Sequence, residues 1–545
     1  MAAPVPRPAA TLALLRDGPN GPEVLMLQRT KEAVFLGGAY VFPGGALDAA
    51  DAGARIARRV IDPPPSDSLP YYVAAIRECF EEAGILLACD KGGRQIDAAQ
   101  AERLMQYRDQ SFVRMLEAED LYLPARELAF IGHWITAPGR ARRFDARFFI
   151  AAAPPGQQGK HDASETVHDV WITPREALAR AERGEIELVF ATKHTLNDFR
   201  NFHSVKDALL HARSMPEVEA NRACWAKGKE GPKLFRRADP QYFEIHWCDP
   251  EETGESSYEI VPGEPKRLDR WVTRLTAPNP GMMTGPGTNS YLVGEGNVAV
   301  LDPGPEIASH VEKILAEAKG RLRWILCTHT HLDHSPAAAA LKAATGAQVL
   351  GRAAPQGQDA SFRPDLVVEN GQRIELSGVT LRAIHTPGHA SNHLCYLLEQ
   401  TKMLFTGDHV MQGSTVVINP PDGEMRAYLA SLERLLAEDI AVIAPGHGYL
   451  IGAPHKELRR LIAHRMAREA KVVSSLRKLG TASLEDLLPL VYDDVPPRVH
   501  RVAARSLTAH LQKLVVEGTV RPSGGRFALV QSLPREERLN LPNLK

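Results

Sequence analysis

The sequence predicts an α/β protein of several domains. Its 545 residues exceed what one hydrophobic core supports, and point to two to four domains. Through most of the chain, short apolar runs that read as strands, bounded by Gly, Pro or Asn, alternate with helical patterns. The last stretch changes character, to three helical patterns and a hairpin. An apolar fraction of 44% and a charged fraction of 24% are those of an ordinary globular protein.

Taking the chain in order, Ala10–Leu15 and Glu23–Arg29 read as two strands joined by a Gly/Pro/Asn turn, followed by Tyr40-Val41-Phe42-Pro43-Gly44-Gly45. Pro70 opens a helix that runs through Arg77-Glu78-Cys79-Phe80-Glu81-Glu82-Ala83 and is stopped by Gly84. Glu78, Glu81 and Glu82 fall at i, i+3 and i+4 on one face. Like charges at that spacing cost a few tenths of a kcal/mol per pair, which a divalent cation would reverse, and Arg77 is one turn from Glu81. An acidic helix face alone is more often simply solvated.

With Gly44-Gly45 before it and Glu-Glu-x-Gly-Ile closing it, this stretch resembles the Nudix box. The resemblance implies an α/β/α hydrolase domain in which Glu78, Glu81 and Glu82 hold Mg2+ or Mn2+ against a diphosphate and activate water, with Arg77 in support. Two departures stand out. Asp51 occupies the place of the box's glutamate, six positions after Gly45, and an insertion carrying Pro63-Pro64-Pro65 separates it from Arg77. These features, with His133-Trp134-Ile135-Thr136-Ala137-Pro138 and Arg143-Phe144-Asp145-x-x-Phe148-Phe149, resemble the peroxisomal coenzyme A diphosphatase branch over residues 8–215. Within that span Glu165 is a further candidate ligand or base, and His133 is expected to pack beside Trp134.

Residues 216–262 are irregular, but Trp225, Tyr242, Phe243 and Trp247 are too apolar for a free linker. They predict packing onto a hydrolase domain.

The next domain, 263–455, opens with strands at Gly287–Val293 and Val298–Gly304. It centres on Thr328-His329-Thr330-His331-Leu332-Asp333-His334, between a buried strand, Arg323–Cys327, and a helix. Ser335 reads as the N-cap of that helix, Pro336 as its first turn and Ala337–Ala343 as its body. Imidazole and carboxylate suit zinc, iron or manganese. Further candidates each follow a strand and a glycine: His389, Asp408 and His447.

These residues, in this order and spacing, resemble the metallo-β-lactamase fold superfamily. The resemblance implies an αββα sandwich with His329, His331 and His389 on one metal, Asp333, His334 and His447 on another, and Asp408 bridging them. The two divalent metals would be Zn2+, or Fe or Mn, and Asp333 would also take part in catalysis. The reaction class implied is hydrolysis of a thioester, ester, amide or phosphodiester. Secreted β-lactamases of this fold usually carry cysteine where Asp408 stands, so thioesterase or nuclease chemistry is favoured. His385, His393 and His409 are expected to pack or to support ligands. The domain's opening resembles the β-lactamase-like-protein-2 branch, which includes endoribonucleases and thioesterases attached to polyketide pathways.

From residue 456 to 535 the pattern is His464-Arg465-x-x-Arg468-Glu469 leading into helices at Val472–Leu479, Ser483–Tyr492 and Pro497–Glu517, then a hairpin with Ser523-Gly524-Gly525 at its tip. Three helices and a hairpin make a winged helix. Leu507, Leu511 and Leu514 form a core stripe on the third helix, and Arg498, Arg501 and Arg505 share another face. From Lys456 to the end there are 17 Lys and Arg against 9 Asp and Glu. That basic end could lie along the phosphates of RNA or of coenzyme A, or the domain could only cap the active site.

The net charge of −1 predicts no global attraction to nucleic acid or membrane. Six dispersed cysteines without a Cys-x-x-Cys pair argue against a disulfide framework or a cysteine zinc site. Prolines stand where a secretory leader would need an apolar run, and no stretch reaches the ~18 apolar residues of a membrane span. The expectation is a cytoplasmic enzyme with two hydrolytic sites and a small-molecule substrate, a diphosphate or thioester such as acyl-coenzyme A. The alternatives are a ribonuclease that grips RNA by its basic C-terminus, and a hydrolase regulated by a non-catalytic Nudix domain. Oligomeric state is left open.

Overall fold

The structure, a computed structural model, describes residues 4–30, 37–161, 166–215 and 218–530. The chain divides into two compact units, Met1–Trp225 with Leu234–Arg237, and Ala226–Lys233 with Ala238–Lys545.

The first unit is built on an eight-stranded sheet. Arg7–Gly18 and Gly21–Arg29 form an antiparallel hairpin in which Leu15 faces Val24. Arg7–Gly18 also runs parallel to Phe144–Ala152 and receives Gly44–Ala46 on a short antiparallel stretch. Because side chains alternate along a strand, Leu12 and Leu14 enter the core beneath the acidic helix Leu69–Ala83, with Ile76 and Phe80. Ala13 and Leu15 point the other way, into a second core with Leu196 and Phe199 from the later helices. The result is helix, sheet, helix. The acidic helix ends where Gly84 turns left-handed at φ 68°.

His133 does not pack beside Trp134. Adjacent strand residues face opposite sides of the sheet, so His133 meets Asp145 at 2.5 Å while Trp134 stacks with His194. Glu165 lies outside the described residues.

The region between residues 216 and 262 is shared out. Ala220–Arg222 adds a parallel edge strand beside Ala129–Ile135 in the first unit, and the helix Tyr242–Cys248 belongs to the second.

The second unit stacks two sheets. One has seven strands, from Lys266–Arg267 to Leu366–Val367, and the other five, from Arg373–Leu376 to Val442–Pro445. Tyr291, Val293 and Leu301 of the first meet Leu381, Tyr396 and Phe405 of the second in a shared core. Outside the first sheet, Val300 and Ile325 pack on Ile314 and Leu341 of two helices. Outside the second, Leu397 and Ile443 pack on Leu432 and Leu458. This is an αββα sandwich. The helix after the histidine-rich loop spans Ala337–Thr345 with Pro336 at its N-cap. Ser335 does not cap it, because its hydroxyl donates to Asp359 Oδ2 at 2.7 Å.

The C-terminal part differs from expectation in one respect. Its first helix does not begin at Val472 but runs unbroken from Pro454 to Leu479. Leu458 and Leu461 bury in the sandwich, while Val472 and Leu476 bury in a separate small core with Leu507, Leu511 and Leu514. Leu484–Val491 and His500–Val516 complete the helices. A three-stranded sheet follows, with Arg526–Leu529 between Thr481–Ala482 and Val520–Ser523. Among the described residues no helix is long and apolar enough to cross a membrane.

Candidate active sites

In the second unit, the ends of strands from both sheets deliver side chains to one pocket. Two groups of ligand atoms come within 4.8 Å of one another, His329 with His331, His389 and Asp408, and Asp333 with His334 and His447. His331 Nδ1 lies 2.9 Å from His329 Nε2 and 3.0 Å from His389 Nε2. Asp408 stands between the groups, with Oδ2 3.8 Å from His389 Nε2 and Oδ1 3.4 and 3.2 Å from the Nε2 atoms of His334 and His447. Asp333 Oδ2 is 3.4 Å from each of the latter two rings.

The outward nitrogens of these rings have fixed partners. His389 Nδ1 donates to Val417 O at 2.8 Å and His447 Nδ1 to Gly287 O at 3.1 Å, while His334 Nδ1 meets Asp302 Oδ2 at 3.0 Å. Such partners set the tautomer and leave Nε2 facing inward. Asp302 was not singled out by the sequence reading. It also accepts from Thr328 N and Oγ1 at 2.7 and 2.8 Å, bracing the start of the loop. Its left-handed backbone, φ 49°, is uncommon for a non-glycine residue and was a signal only the structure could supply. Thr288 was missed as well: it donates to Asp333 Oδ2 at 3.2 Å and is tied to Asn279.

Among the described residues, two buried atoms in the pocket make no well-aligned hydrogen bond, His334 Nε2 and Asp408 Oδ1. A buried polar atom without a partner is costly, and both atoms face the space the other ligands surround. The donor set, imidazole nitrogen and carboxylate oxygen, therefore fits divalent cations. The electrostatics agree. Burial, then neighbouring rings, hold His329 well below its usual range and lower His331 to about 4. Burial opposes charge on His334 and His447 too, yet the carboxylates overcome it, raising His334 well above its usual range and His447 to about 10. The carboxylates thus demand positive charge at that end.

His393 lies against His329 with ring centroids 5.0 Å apart, and His409 sits between His393 and Tyr428. His385 Nε2 donates to Ser391 O. None of the three belongs to the converging groups.

In the first unit, the acidic helix is latched onto Gly44–Ala46. Gly44 N donates to Glu82 Oε2 at 2.8 Å and Arg77 Nη2 to Ala46 O at 3.0 Å. A Cβ on Gly45 would lie 2.5 Å from the Glu78 carboxylate, so a side chain there would push that carboxylate aside. Asp51 resolves the departure seen in the sequence: its two oxygens take Arg77 Nε and Nη2 at 3.0 and 2.9 Å. Arg77 Nη1 in turn reaches Glu78 and Glu81 at 2.7 and 2.8 Å. Burial raises Glu78 to about 7 against the pull of Arg77. Among the described residues the three glutamates form no group whose ligand atoms all lie within 4.8 Å of one another: Glu78 and Glu81 sit on Arg77, and Glu82 accepts from Gly44 N.

Residues 283–447 match the Metallo-beta-lactamase superfamily, 483–526 the Beta-lactamase associated winged helix domain, and 57–192 the NUDT19 Nudix domain. Thioesterase pkgB of Emericella nidulans is 35% identical over 240 residues, which cover 43% of this chain and 67% of that protein. The Beta-lactamase-like protein 2 homolog of Drosophila melanogaster is 30% identical over 275 residues, 47% of this chain and 92% of that protein. The Atrochrysone carboxyl ACP thioesterase of Aspergillus chevalieri is 32% identical over 284 residues, 50% of this chain and 88% of that protein. With the αββα sandwich and its ligand-lined pocket, these matches show that the chain belongs to the metallo-β-lactamase superfamily, as a hydrolase that also carries a Nudix domain and a winged helix.

Proposed function

We propose that the chain hydrolyses coenzyme A derivatives at two metal-dependent sites, a thioester at the histidine-rich pocket and a diphosphate at the Nudix helix. The observation that carries the first is the placement of Asp408, whose two oxygens face the two ligand groups. In this reading His329, His331 and His389 would hold one divalent cation and Asp333, His334 and His447 the other, with Asp408 facing both groups. Zn2+ suits the donors, with Fe or Mn as alternatives. Two such cations, when bound, polarise the scissile carbonyl and supply an activated water. The chain's own part is to hold the imidazoles of His334, His389 and His447 each in one tautomer and to present Asp333, whose side chain is 28% exposed, with its Oδ2 oriented by the Thr288 hydroxyl.

At the Nudix site, Glu78, Glu81 and Glu82 offer oxygen donors that suit Mg2+ or Mn2+, with Arg77 and Asp51 fixing the helix. The thioesterase relatives favour thioester cleavage and the Nudix match favours a diphosphate. An acyl-coenzyme A contains both bonds, which motivates joining them.

The test is to incubate metal-loaded protein with a panel of acyl-coenzyme A esters and identify products by mass, beside His331→Ala and Glu82→Gln. Free thiol should disappear only with His331→Ala, and adenosine 3′,5′-bisphosphate only with Glu82→Gln. Absence of both products from the unmodified protein would reject coenzyme A as the substrate class. Unchanged diphosphate turnover in Glu82→Gln would instead favour a ligand-binding, non-catalytic Nudix domain.

A second reading is favoured by Arg498, Arg501 and Arg505, which are exposed and among the described residues pair with no carboxylate. It makes the protein an endoribonuclease gripping RNA through that face. RNA affinity should then fall steeply with added salt, and salt-independent binding would exclude it.

A further inference from the structure

We propose that Arg465 is a positioning residue for the metal ligand His389, which makes the C-terminal domain part of the hydrolytic site. The inference rests on the dinuclear reading above. Arg465 is on the long helix Pro454–Leu479, is 2% exposed, and among the described residues pairs with no carboxylate. Burying an unneutralised guanidinium is expensive, so what it touches matters. Two of its contacts bear on the pocket: Nη2 donates to Val416 O, and the guanidinium lies 5.4 Å from the centre of the Tyr428 ring.

Each contact is one step from His389. The next carbonyl along the chain, Val417 O, is the one that accepts His389 Nδ1–H at 2.8 Å. On its other side, Ile418 N donates to Ser506 Oγ of the last helix at 3.3 Å. Residues of the C-terminal part thus pin the backbone on both sides of Val417. Tyr428 supplies the second route, since its backbone abuts Gly388: a Cβ there would lie 2.3 Å from Tyr428 Cα. Moving Arg465 would therefore loosen both the acceptor that fixes the tautomer of His389 and the wall behind the residue preceding it. His447 takes its Nδ1 acceptor from Gly287, on the other side of the site, so the effect should be confined to one ligand group.

Zn2+ binding to the full chain is measured by chelator competition, with the visible absorption of the Co2+-loaded protein as a report on coordination. The unmodified protein should bind two tight equivalents in the histidine-rich pocket. Arg465→Met should weaken one of them by about 10–100-fold, the usual effect of losing a partner behind a ligand, and shift the Co2+ spectrum. The other equivalent and diphosphate turnover at the Nudix site should not change. Arg465→Lys, which can still donate to Val416 O, should recover most of the loss. Ser506→Ala should weaken the same equivalent in the same direction, and it carries the test if Arg465→Met does not fold. Unchanged binding in the variants refutes the positioning role. Equal weakening of both equivalents refutes it too, leaving the C-terminal domain as general support. Fewer than two equivalents in the unmodified protein overturns the dinuclear reading and this inference with it.

Discussion

Asp51→Ala is the substitution that best tests how the Nudix helix is held. Asp51 is 2% exposed and Arg77 6%, and the change removes both hydrogen bonds between them, at 3.0 and 2.9 Å. Breaking a buried ion pair costs about 3–5 kcal/mol. Arg77 keeps Glu78 and Glu81 on Nη1, so its charge is still compensated and the lower end applies. Loss of the acceptor for Asp48 N, 2.8 Å away, adds about 1 kcal/mol. Because the chain holds more than one cooperative unit, global unfolding would blur the effect, and amide hydrogen exchange read peptide by peptide is the suitable assay. Peptides covering Leu69–Ala83 should exchange at least about a hundredfold faster, since 1.4 kcal/mol is tenfold. Peptides from the αββα sandwich should be unaffected. Asp51→Asn, which keeps an acceptor for Arg77 Nε, should fall in between. Exchange of Leu69–Ala83 within about threefold of the unmodified protein would show that the Asp51 pair does not hold the helix, and the reasoning would fail.

Gly388→Ala, placed at φ 142° with Tyr428 backbone in the way, should cost the metal proposed for His329, His331 and His389 while the other proposed equivalent stays, as read by metal analysis. Glu244 is fully buried against Arg274, at 2.6 and 2.9 Å, and Lys266, and accepts from Leu450 N just beyond His447. Burial opposes its charge, but Arg274 and Lys266 prevail and lower it from 4.5 to about 2. A depressed carboxylate stabilises fully above its unfolded value, so on the order of 3 kcal/mol should be lost as pH falls from 4.5 towards 2. Glu244→Gln should lack that slope in acid titrations followed by near-ultraviolet circular dichroism. Leu511→Ala, at a site 1% exposed, should cost about 2–5 kcal/mol, seen as lost exchange protection across His500–Val516.

What could be read from the sequence was local. His329, His331, Asp333 and His334 share one loop, and His389, Asp408 and His447 each follow a glycine after a strand, so the side chains that converge on the pocket were legible before any coordinates as candidate ligands. The residues that hold those ligands were not. Val417 acts through its carbonyl, which no side chain advertises, and Glu244 reaches a loop some two hundred residues away. Asp51 was visible as a departure in spacing, but its bidentate grip on Arg77 depends on how the intervening insertion folds. The long helix was misjudged because its first half buries Leu458 and Leu461 in one core and its second half Val472 and Leu476 in another. No single stripe therefore marked its start.

That helix has a consequence for how the protein comes apart. Its 26 residues make a rod about 39 Å long, with one end embedded in the sandwich and the other in the winged helix. A boundary drawn at residue 456 falls inside its first turn, so it is not a seam. Limited proteolysis should find no cleavage between Pro454 and Leu479, and the two cores the helix joins should melt in one transition. Shortening the chain there would strip the sandwich of Leu458 and Leu461 rather than release a spare module.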